Sequence, residues 1–514
     1  MALAGDVWPL GYTAYPDGSE IEPPPTPDDR TNASPFASGE TAVDAVMVSR
    51  NAVSPSPIAN FADARVLVIG LGRFGGGAGV TRWLAEQGAR VTVTDQADAT
   101  SLAESVHELD GLGVTFHLGG HDLADLDGCD LAIVNPAVNK SRSEFFQALF
   151  KRGIPWTTEL NLFCERCPAP VVGVTGSFGK STTCAMLAEV LSAWHRSGSA
   201  PFSGVHLGGN IGRSLLNDLS LIQPSDVVVL EISNAQLEDV PRIGWAPDVA
   251  VITNIHPHHL DRYDGFDSYI AAKLNILGVS PEVSRGCPWL AHGRGDRPSE
   301  VIVGDLHPLA ESALTGRLGG RSVRVTSVAP FDPPLALRVP GRHNQINAAC
   351  AASVCQRLRV DAKLARDSLA QYRGLPHRLE FVRSIKGVDF YNDSKSTAPS
   401  ATIVALESFD QRVVAIVGGQ RKGDVGYDDC ARVLAQRCRA VVCTGECGPD
   451  FARALAAHGV TCQCFGTLPD AIGAARSLAG PGDVVLFSPG APSFDEYTNF
   501  TARGRRFAEI VLRL

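Results

Sequence analysis

The segment Gly173-Val-Thr-Gly176-Ser-Phe-Gly179-Lys180-Ser181-Thr182-Thr183 follows the apolar pair Val171 and Val172. Glycines in such a place let backbone amides approach phosphate oxygens. A lysine there neutralises β- and γ-phosphate charge, and the next hydroxyl can hold Mg²⁺. Val174 stands where the strict phosphate-loop spacing has its first glycine. A TGxxGKSTT run after a strand still predicts a nucleoside triphosphate site, with a ligand-free turn as the alternative. A second glycine run, Gly70-Leu-Gly72-Arg-Phe-Gly75, follows Arg65-Val-Leu-Val-Ile69, and Asp95 ends the next strand-like run, 20 residues beyond Gly75. Glycines for a pyrophosphate and an acid for ribose hydroxyls fit that pattern; a sheet needing only a tight turn fits it too.

Three further places carry chemistry. Glu231 ends the strand-like Val227-Val-Val-Leu-Glu231, where a carboxylate at the edge of a parallel sheet faces the ligand crevice and can serve a metal. His256, His258 and His259 crowd four positions after another apolar run, which suggests zinc. No HxxxH or Cys pair accompanies them, so one histidine assisting Mg²⁺ is the better reading. Lys273 sits in the helix-like SYIAAKLNIL and reads, by itself, as a snorkelling lysine.

The elements that must position these residues follow from the apolar pattern. Runs at 64–70, 131–138, 171–176, 226–232 and 248–255 are separated by segments long enough for crossover helices, which predicts parallel sheets covered on both faces. A glycine-led helix, GRHNQINAACAASVCQRL, precedes a change of texture near 374, and RVVAIVGG, AVVCTG and DVVLFSPG then open a further α/β series. The expected layout is a flexible Pro/Ser-rich extension over 1–60, a Rossmann-like domain over 61–168, a P-loop domain over 169–374 and a Rossmann-like domain over 375–514.

Composition narrows the class. A chain of 514 residues with 44% hydrophobic and 20% charged residues exceeds one ordinary core of about 150 residues, so several packed domains are expected. A formal charge of −9 without a long basic run argues against nucleic acid as the main partner. No apolar stretch has the length of a membrane span, and the N-terminus lacks a signal-peptide pattern, so a cytoplasmic protein is expected. Thirteen scattered cysteines read as reduced core residues. Cys164 and Cys167 form a CxxC and Cys462 and Cys464 a CxC, but zinc would need more ligands at ribbon-like spacing.

Over about residues 64–514 the chain resembles the Mur ligase family. The ordered blocks are GLGRFG, TGSFGKSTT, LEISNAQLE, NIHPHHLDRY with the later AAKLNI, GRHNQINAA, and HRLEFV followed by NDSKST. The block SPGAPSFDEYTNFTARG points to the glutamate-adding branch. The resemblance implies three domains and a cytoplasmic, monomeric ligase of peptidoglycan synthesis. Its implied substrates are ATP, UDP-N-acetylmuramoyl-L-alanine and D-glutamate, joined through an acyl phosphate. It turns the first glycine run into a UDP site with Arg73, Phe74 and Asp95, and with Ala137 and Asn210 close to the substrate. It implies ATP binding by Gly176, Ser177, Gly179, Lys180, Ser181 and Thr182, with Asn344, Asn347, Arg378 and Asp393 around adenine, ribose and phosphates. Ser181 and Glu231 would serve a first Mg²⁺, and His259 with a carbamylated Lys273 a second. Lys395, Thr397, Lys422, Ser493 and Phe500 match the glutamate pocket. The resemblance implies that Lys180, Glu231, His259 and Lys273 carry catalysis.

The chain departs from the family pattern at Phe178, where asparagine is usual, at Asn234-Ala235, at His258, at Gln420 ahead of Lys422, and at Ala398-Pro399. Those departures leave open an L-glutamate-adding variant and a non-catalytic nucleotide-binding relative. A nicotinamide dehydrogenase rests on Gly70 to Asp95 alone.

Overall fold

The computed structural model describes residues 60–72, 75–211, 214–257, 262–278, 298–319, 323–421 and 426–514. Residues 1–59, Arg73, Phe74, His258, His259 and Lys422 lie outside the described residues, and with them the expectations placed there.

The described chain forms three sheets. The first contains β1 (Arg65–Ile69), β2 (Arg90–Asp95), β3 (Thr115–Leu118), β4 (Leu131–Val134) and β5 (Trp156–Thr157), in the order β3-β2-β1-β4-β5 with all neighbours parallel. Alternation along β1 explains its unbroken apolar sequence. Val66 and Val68 pack with Val80 and Leu84 of the helix Gly76–Glu86, whereas Leu67 and Ile69 face Phe145, Phe146 and Leu149 of the helix Glu144–Lys151.

The second sheet holds β6 (Val171–Thr175), β7 (Val205–Gly209), β8 (Val227–Glu231), β9 (Val249–Ile255), β10 (Glu300–Leu306) and β11 (Arg324–Ser327). Its order, β11-β10-β9-β6-β8-β7, is again parallel throughout and sets β6 between β8 and β9. The chain leaves β6 to one side and returns past it to the other, so a crevice opens beyond its carboxyl end. The helix Lys180–Arg196 covers the sheet through Cys184, Leu187 and Leu191, with Ile346 and Val354 of the helix Arg342–Arg357 beside it. One apolar cluster runs without a break from Val66 and Trp83 through Leu160, Leu162 and Phe163 to Leu230 and Ile252, so the first two sheets share a core.

The third sheet contains β12 (Glu380–Ile385), β13 (Val388–Asn392), β14 (Val413–Val417), β15 (Cys438–Thr444), β16 (Gln463–Phe465) and β17 (Val484–Phe487), in the order β12-β13-β17-β14-β15-β16. It adds to the expected α/β series a strand pair that the apolar runs did not mark, because β12 and β13 pair antiparallel. Lys386 and Gly387 make the connection with φ of 51° and 80°, the pair of positive values that a two-residue hairpin demands. So short a link leaves no room for a crossover helix. Its two faces have cores of their own, around Phe451 and Leu434 on one side and Phe487 and Phe507 on the other.

Candidate active site

The carboxyl ends of β6, β8 and β9 converge on the turn Gly176 to Gly179, where β6 gives way to the helix Lys180–Arg196. Gly179 is the helix N-cap at φ 78°, and a Cβ there would run into the Asn347 side chain. The close approach and the left-handed backbone together explain why glycine occupies that position. The turn is held from β9. Asn254 accepts from the Phe178 amide at 2.9 Å and donates to the Phe178 carbonyl at 3.0 Å, and Thr253 Oγ1 donates to that carbonyl at 2.6 Å. Ser177 Oγ donates to the His256 carbonyl at 2.9 Å, accepts from the His256 amide at 3.0 Å and shares a hydrogen bond with Tyr269 at 2.8 Å. The turn's shape therefore rests on side chains from β9 and the helix Phe266–Leu274, while Phe178 itself is 54% exposed.

Two lysines meet at this turn. Lys180 Nζ donates to the carbonyls of Gly176 and Ser177 at 3.0 and 3.3 Å, and Lys273 Nζ donates to Gly176 at 2.8 Å. Lys273 is 0% exposed and corrects the snorkelling reading: its ammonium lies over the Tyr269 ring, one helical turn back, at 4.9 Å from the centroid. Burial lowers its proton affinity well below the ordinary lysine range, Lys180 lowers it further, and Glu231 opposes both. Burial also lowers Lys180, again opposed by Glu231.

Glu231 is 1% exposed at the end of β8. Its Oε1 accepts from Asn210 Nδ2 at 3.0 Å, while its Oε2 is buried with no hydrogen-bond partner among the described residues. A buried carboxylate oxygen without a donor is expensive unless a cation meets it. A hard carboxylate oxygen at the end of β8 and a hydroxyl, Ser181, in the first turn of the helix after β6 are donors of the kind that suits Mg²⁺. Ser181 and Thr182 are half-buried in the first helical turn.

Asn344 and Asn347 lie on the buried face of their helix, joined by a hydrogen bond of 3.1 Å, and Asn347 reaches the turn at Gly179. Arg378 is exposed just before β12 and close enough to lower the proton affinity of both Lys180 and Lys395. Asp393, at the end of β13, is buried. Its carboxylate accepts from Ser396 at 2.5 Å, Ser488 at 2.8 Å and the Leu379 amide at 3.1 Å, yet burial still pushes it up to about 6.

In the third domain, Lys395 lies over the Phe500 ring at 5.5 Å. Burial, and after it Arg378, lowers Lys395 to about 8. Thr397 is half-buried two residues on, and Ser493 is buried in the loop after β17. One residue that the sequence reading did not single out ties these loops together. The buried Arg503 donates to Ser394 Oγ and to the carbonyls of Ser394, Ala491 and Pro492, four hydrogen bonds of 2.8–3.1 Å. Tyr269, Thr253, Asn254 and Arg503 all went unassigned. Tyr269 precedes Lys273 by four residues and Arg503 follows Phe500 by three, and helical spacing was the available signal.

At the first sheet, Asp95 is half-buried and bridges two amides, accepting from Gly72 at 3.1 Å and Ala97 at 2.9 Å. Asn135 donates to the Gly70 carbonyl at 3.2 Å and accepts from the Ala137 amide at 2.9 Å, which fixes the exposed Ala137 beside the glycine run. Asn210 stands apart from this group, at Glu231. Arg262 Nη2 reaches across from the second domain to the Pro136 carbonyl at 2.8 Å.

Family models match along most of the chain: the Mur ligase MurD-like N-terminal domain over 64–157, the Mur ligase middle domain over 174–355 and the Mur ligase glutamate ligase domain over 377–490. Curated relatives include the UDP-N-acetylmuramoylalanine–D-glutamate ligases of Symbiobacterium thermophilum, 34% identical over 87% of this chain and 97% of that one, and of a Roseiflexus species, 36% identical over 88% and 98%. Among solved structures, the UDP-N-acetylmuramate–alanine ligase MurC of Thermotoga maritima has the same fold, with a TM-score of 0.50, 21% identity and coverage of 87% of this chain and 99% of that one. Three matched domains in series and relatives aligned over nearly their whole length make this chain a member of the Mur ligase family.

Proposed function

We propose that the chain joins D-glutamate to the carboxyl group of UDP-N-acetylmuramoyl-L-alanine at the expense of ATP. The carrying observation is the buried Glu231 oxygen without a donor among the described residues, close enough to Lys180, Lys273 and Lys395 to raise their proton affinity, with Arg378 near Lys180 and Lys395. Even with Lys273 neutral, Lys180, Lys395 and Arg378 outnumber one carboxylate, an excess of positive charge that suits a phosphate-rich ligand.

In this reading the amides of Gly176 to Thr182 and the Lys180 ammonium hold the β- and γ-phosphates of ATP, and Asn344, Asn347, Arg378 and Asp393 hold the remainder of the nucleotide. Ser181 and Glu231 would hold one Mg²⁺, and Lys273, as its carbamate, a second together with His259. The ions supply neutralisation of phosphate charge. A neutral, buried amine is the form that adds CO₂, and Lys273 is held toward that form. Asp95 and Ala137, with Arg73 and Phe74, would orient the uridine nucleotide, and Asn210 would steady Glu231 near the acceptor. Lys395, Thr397, Ser493 and Phe500, with Lys422, would seat glutamate.

The acceptor carboxylate attacks the γ-phosphorus. An oxygen–phosphorus bond forms, the bond to ADP breaks, and the acyl carbon becomes an electrophile. The glutamate amine then attacks that carbon and loses a proton, and the tetrahedral adduct expels phosphate to leave the amide. The positive groups around Glu231 bear the charge that develops on the transferred oxygens, and closure against the third domain keeps water from the acyl phosphate.

The test is phosphate release from ATP and Mg²⁺ with UDP-N-acetylmuramoyl-L-alanine, run in parallel with D-glutamate and L-glutamate. Release with the D form alone is the expected result. Release with the L form alone would transfer the assignment to an L-adding variant, and no release with either would overturn the ligase reading for this chain.

A further inference from the structure

The CxC of β16 gains a third sulfur that sequence spacing does not reveal. Cys443 in β15 is the register partner of Cys464 in the parallel strand β16, and Cys462, two residues before Cys464, points to the same face. The three Sγ atoms lie within 4.8 Å of one another, with 3.4 Å between Cys443 and Cys462. The three cysteines are graded in depth, Cys443 buried, Cys462 half-buried and Cys464 exposed. These are the outermost two strands of the third sheet, and the mechanism above uses neither.

Packing explains a cysteine such as Cys350, which is buried in the apolar core of the second domain. It does not explain an exposed cysteine whose sulfur meets two more. A cation bonded to three thiolates at about 2.3 Å sets its sulfurs about 3.8–4.0 Å apart, whether tetrahedral or trigonal. That is the scale of the triangle found here. We propose that Cys443, Cys462 and Cys464 form a binding site for one thiophilic d¹⁰ cation, Zn²⁺ or Cu⁺, at the edge of the C-terminal sheet.

The chemistry of the donors supports it. Three soft sulfurs with no carboxylate or imidazole among them favour these ions over Mg²⁺. The exposed side at Cys464 leaves room for a water as the fourth ligand of Zn²⁺, whereas Cu⁺ is satisfied by three sulfurs. Free cysteine thiols hold their protons at neutral pH. Binding must then release them, and affinity should rise with pH. The site goes beyond the ligase reading and does not depend on it.

The experiment uses the full chain, reduced, stripped with chelator and kept anaerobic. Zn²⁺ is titrated against a chromophoric chelator, Cu⁺ against a competing Cu⁺ chelator, and Co²⁺ serves as a spectroscopic probe. Wild type should take up about one equivalent and show sulfur-to-cobalt charge-transfer absorption. Both should vanish in a Cys462→Ser/Cys464→Ser double variant and persist in Cys164→Ser. Tighter binding of Zn²⁺ or of Cu⁺ identifies the ion. Cys464 is exposed, so Cys464→Ser should keep its thermal unfolding profile and phosphate release while losing the absorption. Binding unchanged in the double variant, no uptake by wild type, or a thiol count two short because the cysteines are joined as a disulfide would each overturn the proposal.

Discussion

At Lys273 a single side chain carries two opposed pressures. Its burial disfavours the ammonium, yet Glu231 close by favours it. A carbamate resolves the conflict by replacing a buried cation with an anion that a metal can meet. Lys273→Ala should therefore abolish phosphate release, and a short-chain carboxylate should restore part of it; absence of rescue at every concentration would count against the carbamate. Lys395 gives a pH signature. Its proton affinity, lowered to about 8, leaves it charged below that pH and neutral above it. If it binds a glutamate carboxylate, KM for glutamate should be flat below about pH 8 and rise about tenfold per unit above it. Lys395→Arg, permanently charged, should remove that rise, and an unchanged profile would remove Lys395 from the glutamate site. Neither behaviour is legible in the sequence, because a lysine in a helix or a loop reads as solvated until the packing around it is known.

Among the elements, the start of the helix Lys180–Arg196 is the most constrained. Gly179→Ala would force a side chain into the left-handed region and against Asn347, at a cost of about 1–2 kcal/mol before the clash is counted. Thermal unfolding should fall by a few degrees and ATP affinity by more than that loss implies, because the amide cradle itself is displaced; nucleotide titration measures the second effect. The loops proposed to seat glutamate rest on Arg503, whose side chain joins the loops after β13 and β17. Arg503→Ala would strand the buried carbonyls of Ser394 and Ala491, each worth about 1–3 kcal/mol when left without a donor, whereas the Pro492 carbonyl keeps the Gln420 amide. The C-terminal domain should lose a few kcal/mol in denaturant unfolding, and KM for glutamate should rise while KM for ATP changes little. A rise in both equally would argue for global loosening. The parallel strands here were legible as apolar runs ending in glycine or an acid. The hairpin of β12 and β13 was not, because Glu380–Ile385 is an edge strand that mixes charged residues among apolar ones and is open to solvent in part.

For the molecule as a whole, the continuity of its cores decides what can move. The first and second sheets share one apolar cluster, so separating them would expose it. The third domain keeps separate cores and meets the second through contacts such as Tyr391 donating to the Arg338 carbonyl at 2.6 Å. Closure should accordingly be a motion of the C-terminal domain against the other two. Small-angle scattering should show a smaller radius of gyration when an ATP analogue and the UDP-sugar acceptor are present together. An unchanged radius at saturation would mean that the site is already closed.

The sequence by itself determined the family, the order of the three α/β domains and the phosphate turn, because glycine, lysine and hydroxyl residues at fixed local spacing carry that chemistry within one loop and one helix. Tertiary structure alone decided which distant residues share an environment. It buried Lys273 beside Gly176, left Glu231 Oε2 without a donor among the described residues, clamped two loops with Arg503 and set Cys443 beside Cys462 and Cys464. The physical reason is that desolvation and strand register depend on neighbours remote in the chain, and no local pattern encodes a neighbour that arrives from another strand.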